Sequence, residues 1–166
     1  KEKRAREFTA CSLWLLIASS VFTTFFIFFL NTRLLKLMGA KGQLLYLSEE
    51  YIAVIALGAF SQIIGTGLLP FIRNYGGSFY AMFSMISGFV TNIILDYLFI
   101  WVLNQGIAGA ALATVIGQGV TMVTALIYLL IKKQFTLKIP FSRMGTASAS
   151  VVKIGIAPFG LTMTPN

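Results

Sequence analysis

FYAMFSMISGFVTNIILDYLFIWVL, residues Phe79–Leu103, is the stretch that decides how this chain is read. As a helix it exceeds the ~20 residues needed to cross a ~30 Å hydrocarbon core. Asp96 lies inside it and is the only charged residue between Arg73 and Lys132. At ~1.5 Å per residue it sits about 12 Å below the Asn104 end. A carboxylate at such a depth costs roughly 2.5–3.5 kcal/mol on insertion scales, and intramembrane acids mark ion pathways more often than structural glue. Asn92 precedes Asp96 by four residues, so both project from one helix face. A carboxylate stacked on a carboxamide points to a small-cation or proton site. The plainer reading is a hydrogen bond that ties two helices together.

The rest of the chain has the same character. Of its 166 residues, 57% are hydrophobic and 11% charged, against about 25% charged in soluble domains. Residues 8–30, 51–72, 79–103 and 106–131 are nearly uncharged and each is long enough to span a bilayer. They predict an all-α polytopic membrane helix bundle with four complete transmembrane helices. A fifth apolar segment, 151–166, is short for a span and contains Pro158 and Pro165. The chain therefore reads as a piece of a longer protein that stops part-way into a fifth helix. No histidine is present, which removes the usual zinc, haem and acid–base constellations. No nucleophile–base pair or phosphate loop is visible either, so an enzyme is not expected. Cys11 is the only cysteine and reads as a small apolar filler. The N-terminal run is too long for a secretory signal and lacks a cleavage site.

The net charge is +8, from 13 Lys and Arg against 5 Asp and Glu. In a soluble chain this would raise nucleic acid as a partner; here the basic residues cluster between spans. Four precede the first span, one is Arg73 and five lie in Lys132–Lys153 (Lys132, Lys133, Lys138, Arg143, Lys153). The opposite side holds three, Arg33, Lys36 and Lys41. Ten against three places the first group in the cytoplasm, with the chain in the cytoplasmic membrane and no nucleic-acid partner. Span one then leads to an external connection, Thr32–Glu50, partly along the interface, with Ser48-Glu49-Glu50 as the start of the next helix. Pro70 removes a backbone donor near the end of span two, and Gly76–Gly77 reads as the turn into span three.

The two-residue link Asn104–Gln105 forces spans three and four into an antiparallel hairpin. Span four opens GIAGAALATVIGQG, in which Gly109, Ala113 and Gly117 recur every four residues and form a stripe for close backbone contact. Thr114 and Gln118 sit beside that stripe. The Thr114 hydroxyl either bonds back to its own helix or faces Asp96 across the hairpin. Asp96, Asn92 and Thr114 are all oxygen donors, as sodium requires; a proton needs only Asp96.

Several pieces match, in order, the multidrug and toxic compound extrusion (MATE) transporters. LLKLMGA at Leu34–Ala40 resembles that family's external link, followed by a tyrosine at Tyr51. FIRNYGG at Phe71–Gly77 resembles its cytoplasmic hinge. NIILDYLFI at Asn92–Ile100 followed by GIAGAALATVIGQ at Gly106–Gln118 is the most specific piece. It resembles the bacterial and archaeal branch related to DNA-damage-inducible F proteins. The resemblance implies helices three to six of a twelve-helix, two-lobe transporter over residues 1–150, with residues 151–166 opening the second lobe. It also implies a cation site at Asp96, Asn92 and Thr114, completed in the family by an Asp on helix one that this chain does not contain. The implied activity is export of drugs or cationic, amphipathic metabolites, coupled to Na+ or H+ by alternating access, with no cofactor. The implied partners are the lipid bilayer, a small-molecule substrate and the remaining helices. The alternatives are a lipid-linked saccharide flippase of related fold, disfavoured by the lack of basic residues within the spans, and a structural membrane subunit in which Asp96 binds a partner helix.

Overall fold

The computed structural model describes residues 2–132, 148–153 and 156, with side chains from Thr9 onward. Four long helices account for most of them: α1 (Glu2–Leu37), α2 (Gly42–Asn74), α3 (Ser78–Asp96) and α4 (Gly106–Ile131). α3 continues directly into a π-helical segment, Tyr97–Val102. All four are long and apolar enough to cross a membrane, with Ser78–Val102 acting as one span, and no strand occurs among the described residues. The protein is a multi-pass membrane protein. The linker residues 133–147 and the final prolines, Pro158 and Pro165, lie outside the described residues.

The connection between the first two helices corrects the sequence-based expectation. It is not the long loop Thr32–Glu50 but the four residues 38–41 between α1 and α2. Ser48, Glu49 and Glu50 lie inside α2, whose N-cap is Lys41 with no side-chain cap bond. The charged residues here look like a loop, but long Lys, Arg and Glu side chains reach the interface from a helix that continues beneath them. Leu34, Leu35, Leu37, Leu44, Leu45 and Leu47 keep the backbone helical on both sides. The turn itself is made where glycine permits it, at Gly39 (φ 90°) and Gly42 (φ 57°).

The α2–α3 turn follows its sequence signal. Gly76 (φ 79°) takes the left-handed position past the end of α2. Its N–H donates to Arg73 O at 3.0 Å and the Gly77 N–H to Ile72 O at 2.9 Å. These two bonds satisfy carbonyls that the helix end leaves open. The hairpin between α3 and α4 turns at Asn104 (φ 52°) and Gly106 (φ 56°).

α2 is the centre of the bundle. It packs against α1 on one side and α4 on the other, while α3 packs mainly on α4; among the described residues the α1 backbone comes close to α2 only. Close approach comes from small residues. Ala56, Gly58, Ala59 and Gly65 are buried on α2, and Gly109, Ala111, Ala113 and Gly117 on α4. The apolar core gathers at the Arg73 end, where Leu13, Leu68, Leu69, Ile72, Ala81, Ala125 and Leu129 meet from all four helices. The Tyr80 and Tyr128 rings pack beside it at a tilt, with centroids 4.7 Å apart. Packing thins toward the Lys41 end. The buried residues of α3 are Ala81, Ser84 and Gly88, and the π segment buries none.

Candidate functional site

The α3–α4 seam fixes which residues can meet. A methyl group on Gly88 would strike the Thr121 hydroxyl, one on Gly117 would lie 2.9 Å from Asn92 Cβ, and one on Gly109 would lie 2.9 Å from Phe99 Cβ. Those pairs form one continuous antiparallel register. Carried along it, Asp96 falls level with Ala113, and Thr114 is its next neighbour on α4. Gly109, Ala113 and Gly117 are all buried on this seam. Gly119, two residues away on another face, has nothing within 4 Å of the place its Cβ would take.

A cleft of about 260 Å³ lies where the α3–α4 seam faces α2. Polar side chains line it from three helices: Ser61, Gln62 and Thr66 of α2, Asn92 of α3, and Thr114, Gln118 and Thr121 of α4. Met85 and Phe89 supply its apolar wall. Asn92 and Thr114, two of the three expected site residues, therefore share one cleft. Asp96 does not line it; it sits partly buried one turn beyond Asn92, toward the Lys41 end.

Three polar atoms at this place are buried and have no hydrogen-bond partner among the described residues: Asp96 Oδ1, Asn92 Nδ2 and Gln118 Oε1. Each such atom costs about 1–3 kcal/mol, and more if charged. Such groups persist in native structures where a ligand, ion or water completes them. The Thr114 hydroxyl donates to Ala110 O at 3.0 Å, so its proton stays on its own helix and its lone pairs remain free. Of the two readings of Thr114, the back-bond is therefore present, and it leaves the oxygen able to serve as a ligand. Among the described residues no three His, Cys, Asp or Glu side chains cluster as for a metal ion. Apart from Asp96, ligation here would come from neutral oxygens.

Sequence reasoning missed the contribution of α2. Ser61, Gln62 and Thr66 are polar residues inside an apolar span, and Gln62 and Thr66 share a face at four-residue spacing. That was the available signal. Gln118 lay beside the stripe in sequence; in the fold its Oε1 lies against α2, 2.9 Å from where a Gly58 Cβ would stand. At the Arg73 end, Cys11 is buried and its Sγ lies 3.2 Å from Ser148 Oγ, so residues 148–150 rest on the start of α1.

Four membrane helices with a glycine-spaced seam and unpartnered oxygens within the membrane define a polytopic membrane protein with an intramembrane polar site. The comparisons with known proteins are specific. The family model described as MatE matches residues 1–98. The "Probable multidrug resistance protein YpnP" of Bacillus subtilis (strain 168) is 32% identical over 136 residues, covering 82% of this chain and 30% of that protein. The "Multidrug export protein MepA" of Staphylococcus saprophyticus is 30% identical over 133 residues, covering 79% of this chain and 30% of that protein. Among solved structures, one described as the inward-facing conformation of a multidrug resistance MATE family transporter superposes with a TM-score of 0.74 at 29% identity. It covers 84% of this chain and 33% of that chain. A crystal structure of MATE in the bent conformation gives 0.73 at 30% identity, covering 89% and 36%. The chain belongs to the MatE family, a family of transporters rather than enzymes. It spans about 30% of the length of these two curated relatives.

Proposed function

We propose that this chain forms part of the first lobe of a cation-coupled exporter that moves drugs or cationic, amphipathic metabolites out across the cytoplasmic membrane, and that residues 151 onward open its second lobe. One observation carries the coupling: Asp96 Oδ1 and Asn92 Nδ2 are buried without partners on one face of α3. That face meets α4 where Thr114 keeps its oxygen lone pairs free. An arriving Na+ or H+ neutralises the carboxylate and removes the penalty of holding it in a low-dielectric setting. The ion is then bound more tightly in one packing of α3 on α4 than in another, which is what alternating access requires. The multidrug relatives make a drug-like substrate the natural reading for the exported molecule.

The test uses the full-length transporter in reconstituted vesicles. Asp96→Asn keeps the volume and removes the charge. It is expected to abolish gradient-driven export at normal protein level and folding. Thr114→Ala separates the ions: with sodium it raises the sodium requirement, and with protons it changes little. Full gradient-driven activity of Asp96→Asn would leave Asp96 as a structural residue and remove the coupling argument.

A further inference from the structure

We infer that Gln118 supplies a further neutral oxygen to the ion path, so that the cleft between α2, α3 and α4, and not Asp96 alone, sets the affinity for an alkali cation. The inference rests on the cation-coupled reading and adds a residue to it. Its basis is the set of side-chain oxygens that the cleft leaves with free lone pairs. Thr114 donates its hydroxyl proton to Ala110 O at 3.0 Å, Thr121 to Gly117 O at 3.3 Å, and Thr66 to Gln62 O at 2.6 Å. All three hydroxyls thus face the cleft with lone pairs and no proton to offer. Gln118 Oε1 is buried and also lacks a donor.

No Lys, Arg or His occurs between Glu50 and Arg73 or between Arg73 and Lys132, so these spans offer no charged donor to such oxygens. The three threonine oxygens and Gln118 Oε1 offer lone pairs of the kind a hard cation takes. Gly58 makes room for the Gln118 carboxamide against α2. Gln118 lies one helical turn from Thr114 on the same face of α4. An ion moving between Asn92 and Asp96 therefore passes both side chains. The rival arrangement is a closed one, in which the Asn92 amide donates directly to Gln118 Oε1 and the pair acts only as a strut.

The experiment uses the full-length transporter in proteoliposomes with sodium chloride as the probe. The sodium concentration for half-maximal export is measured together with the substrate KM and the melting temperature in sodium-free buffer. Gln118→Leu, which removes the oxygen, is expected to raise the sodium requirement roughly tenfold. Its KM and sodium-free melting temperature should stay near those of the parent. Gln118→Glu, which restores an oxygen, is expected to bring the sodium requirement back to the parent value or below it. If both variants keep the parent sodium dependence while Asp96→Asn loses it, the inference fails and the coupled reading stands. A parent protein that responds to a proton gradient but not to sodium overturns the inference in the same way. Loss of sodium-free stability in Gln118→Leu, with no rescue by glutamate, assigns Gln118 to the strut and also overturns it. If Asp96→Asn keeps full gradient-driven export, the coupled reading itself falls.

Discussion

A single methyl group on Gly117 tests the seam that holds the site together. An ideal Cβ there would lie 2.7 Å from Gly88 O, 2.9 Å from Asn92 Cβ and 3.4 Å from Asn92 N. Two of these atoms are backbone and the third is fixed by it, so no rotamer change relieves the clash. Carbon atoms pack best at about 3.5–4.0 Å, so the helices must separate by roughly 0.6–1.1 Å. Overpacking of this kind costs about 1–3 kcal/mol.

Replacing glycine by alanine inside a helix also gains about 0.5–1 kcal/mol from backbone entropy, which would blur a single measurement. Gly119→Ala is the internal reference. It lies two residues away on α4, and nothing stands within 4 Å of its Cβ position. The backbone gain is common to both variants and cancels. Gly117→Ala is therefore expected to be about 1–3 kcal/mol less stable than Gly119→Ala. Unfolding of the full-length protein by SDS in mixed micelles measures the difference. Equal stability of the two variants would refute a close-packed α3–α4 seam. Because the displaced neighbour is Asn92, Gly117→Ala should also raise the ion requirement for transport, and Gly119→Ala should not.

Two further outcomes follow from the geometry. Cysteines placed at Lys41 and Arg73, at opposite ends of α2, should react with impermeant thiol reagents from opposite faces of the membrane, with Arg73 on the cytoplasmic side; labelling from the same face would rule out a spanning α2. Ser148→Cys should cross-link to Cys11 under mild oxidation, seen as loss of free-thiol labelling, since Cys11 Sγ lies 3.2 Å from Ser148 Oγ; persistence of both free thiols would show that residues 148–150 do not rest on α1.

The four spans could be read from the chain because each is an apolar run bounded by charge or glycine, and a bilayer demands little else of a helix. The α3–α4 seam could be read too, because glycine and alanine at four-residue spacing leave few other uses for that face. The first connection was misread because charge was weighed above turn chemistry. Arg33, Lys36, Lys41, Glu49 and Glu50 suggested a loop, whereas Gly39 and Gly42 carry the backbone angles that make the turn. The π segment has no local sign. Tyr97–Val102 is YLFIWV, with no glycine or proline, and its wide turn depends on how the hairpin closes. The α2 wall of the cleft was hidden for a related reason. Ser61, Gln62 and Thr66 become site residues only once α2 is known to face α4, and that is a property of the packed bundle.

The packing gradient along the bundle bears on how an ion could act here. At the Arg73 end all four helices share one core, and an interaction there would have to work against close-packed side chains that resist displacement. Beyond Gly88 no residue of α3 is fully buried, and the π segment after Asp96 adds none. Asn92 and Asp96 thus lie beyond the four-helix core, on the part of α3 that packs on α4 through Gly117, Ala113 and Gly109. A ligand shifts an equilibrium only by its differential affinity for the two states. On the coupling proposed above, an ion's leverage would be greatest at this boundary, between the packed core and a sparsely buried segment. Placed about four turns nearer the Arg73 end, among Ala81, Ala125 and Leu129, the same carboxylate would meet close-packed side chains that resist displacement.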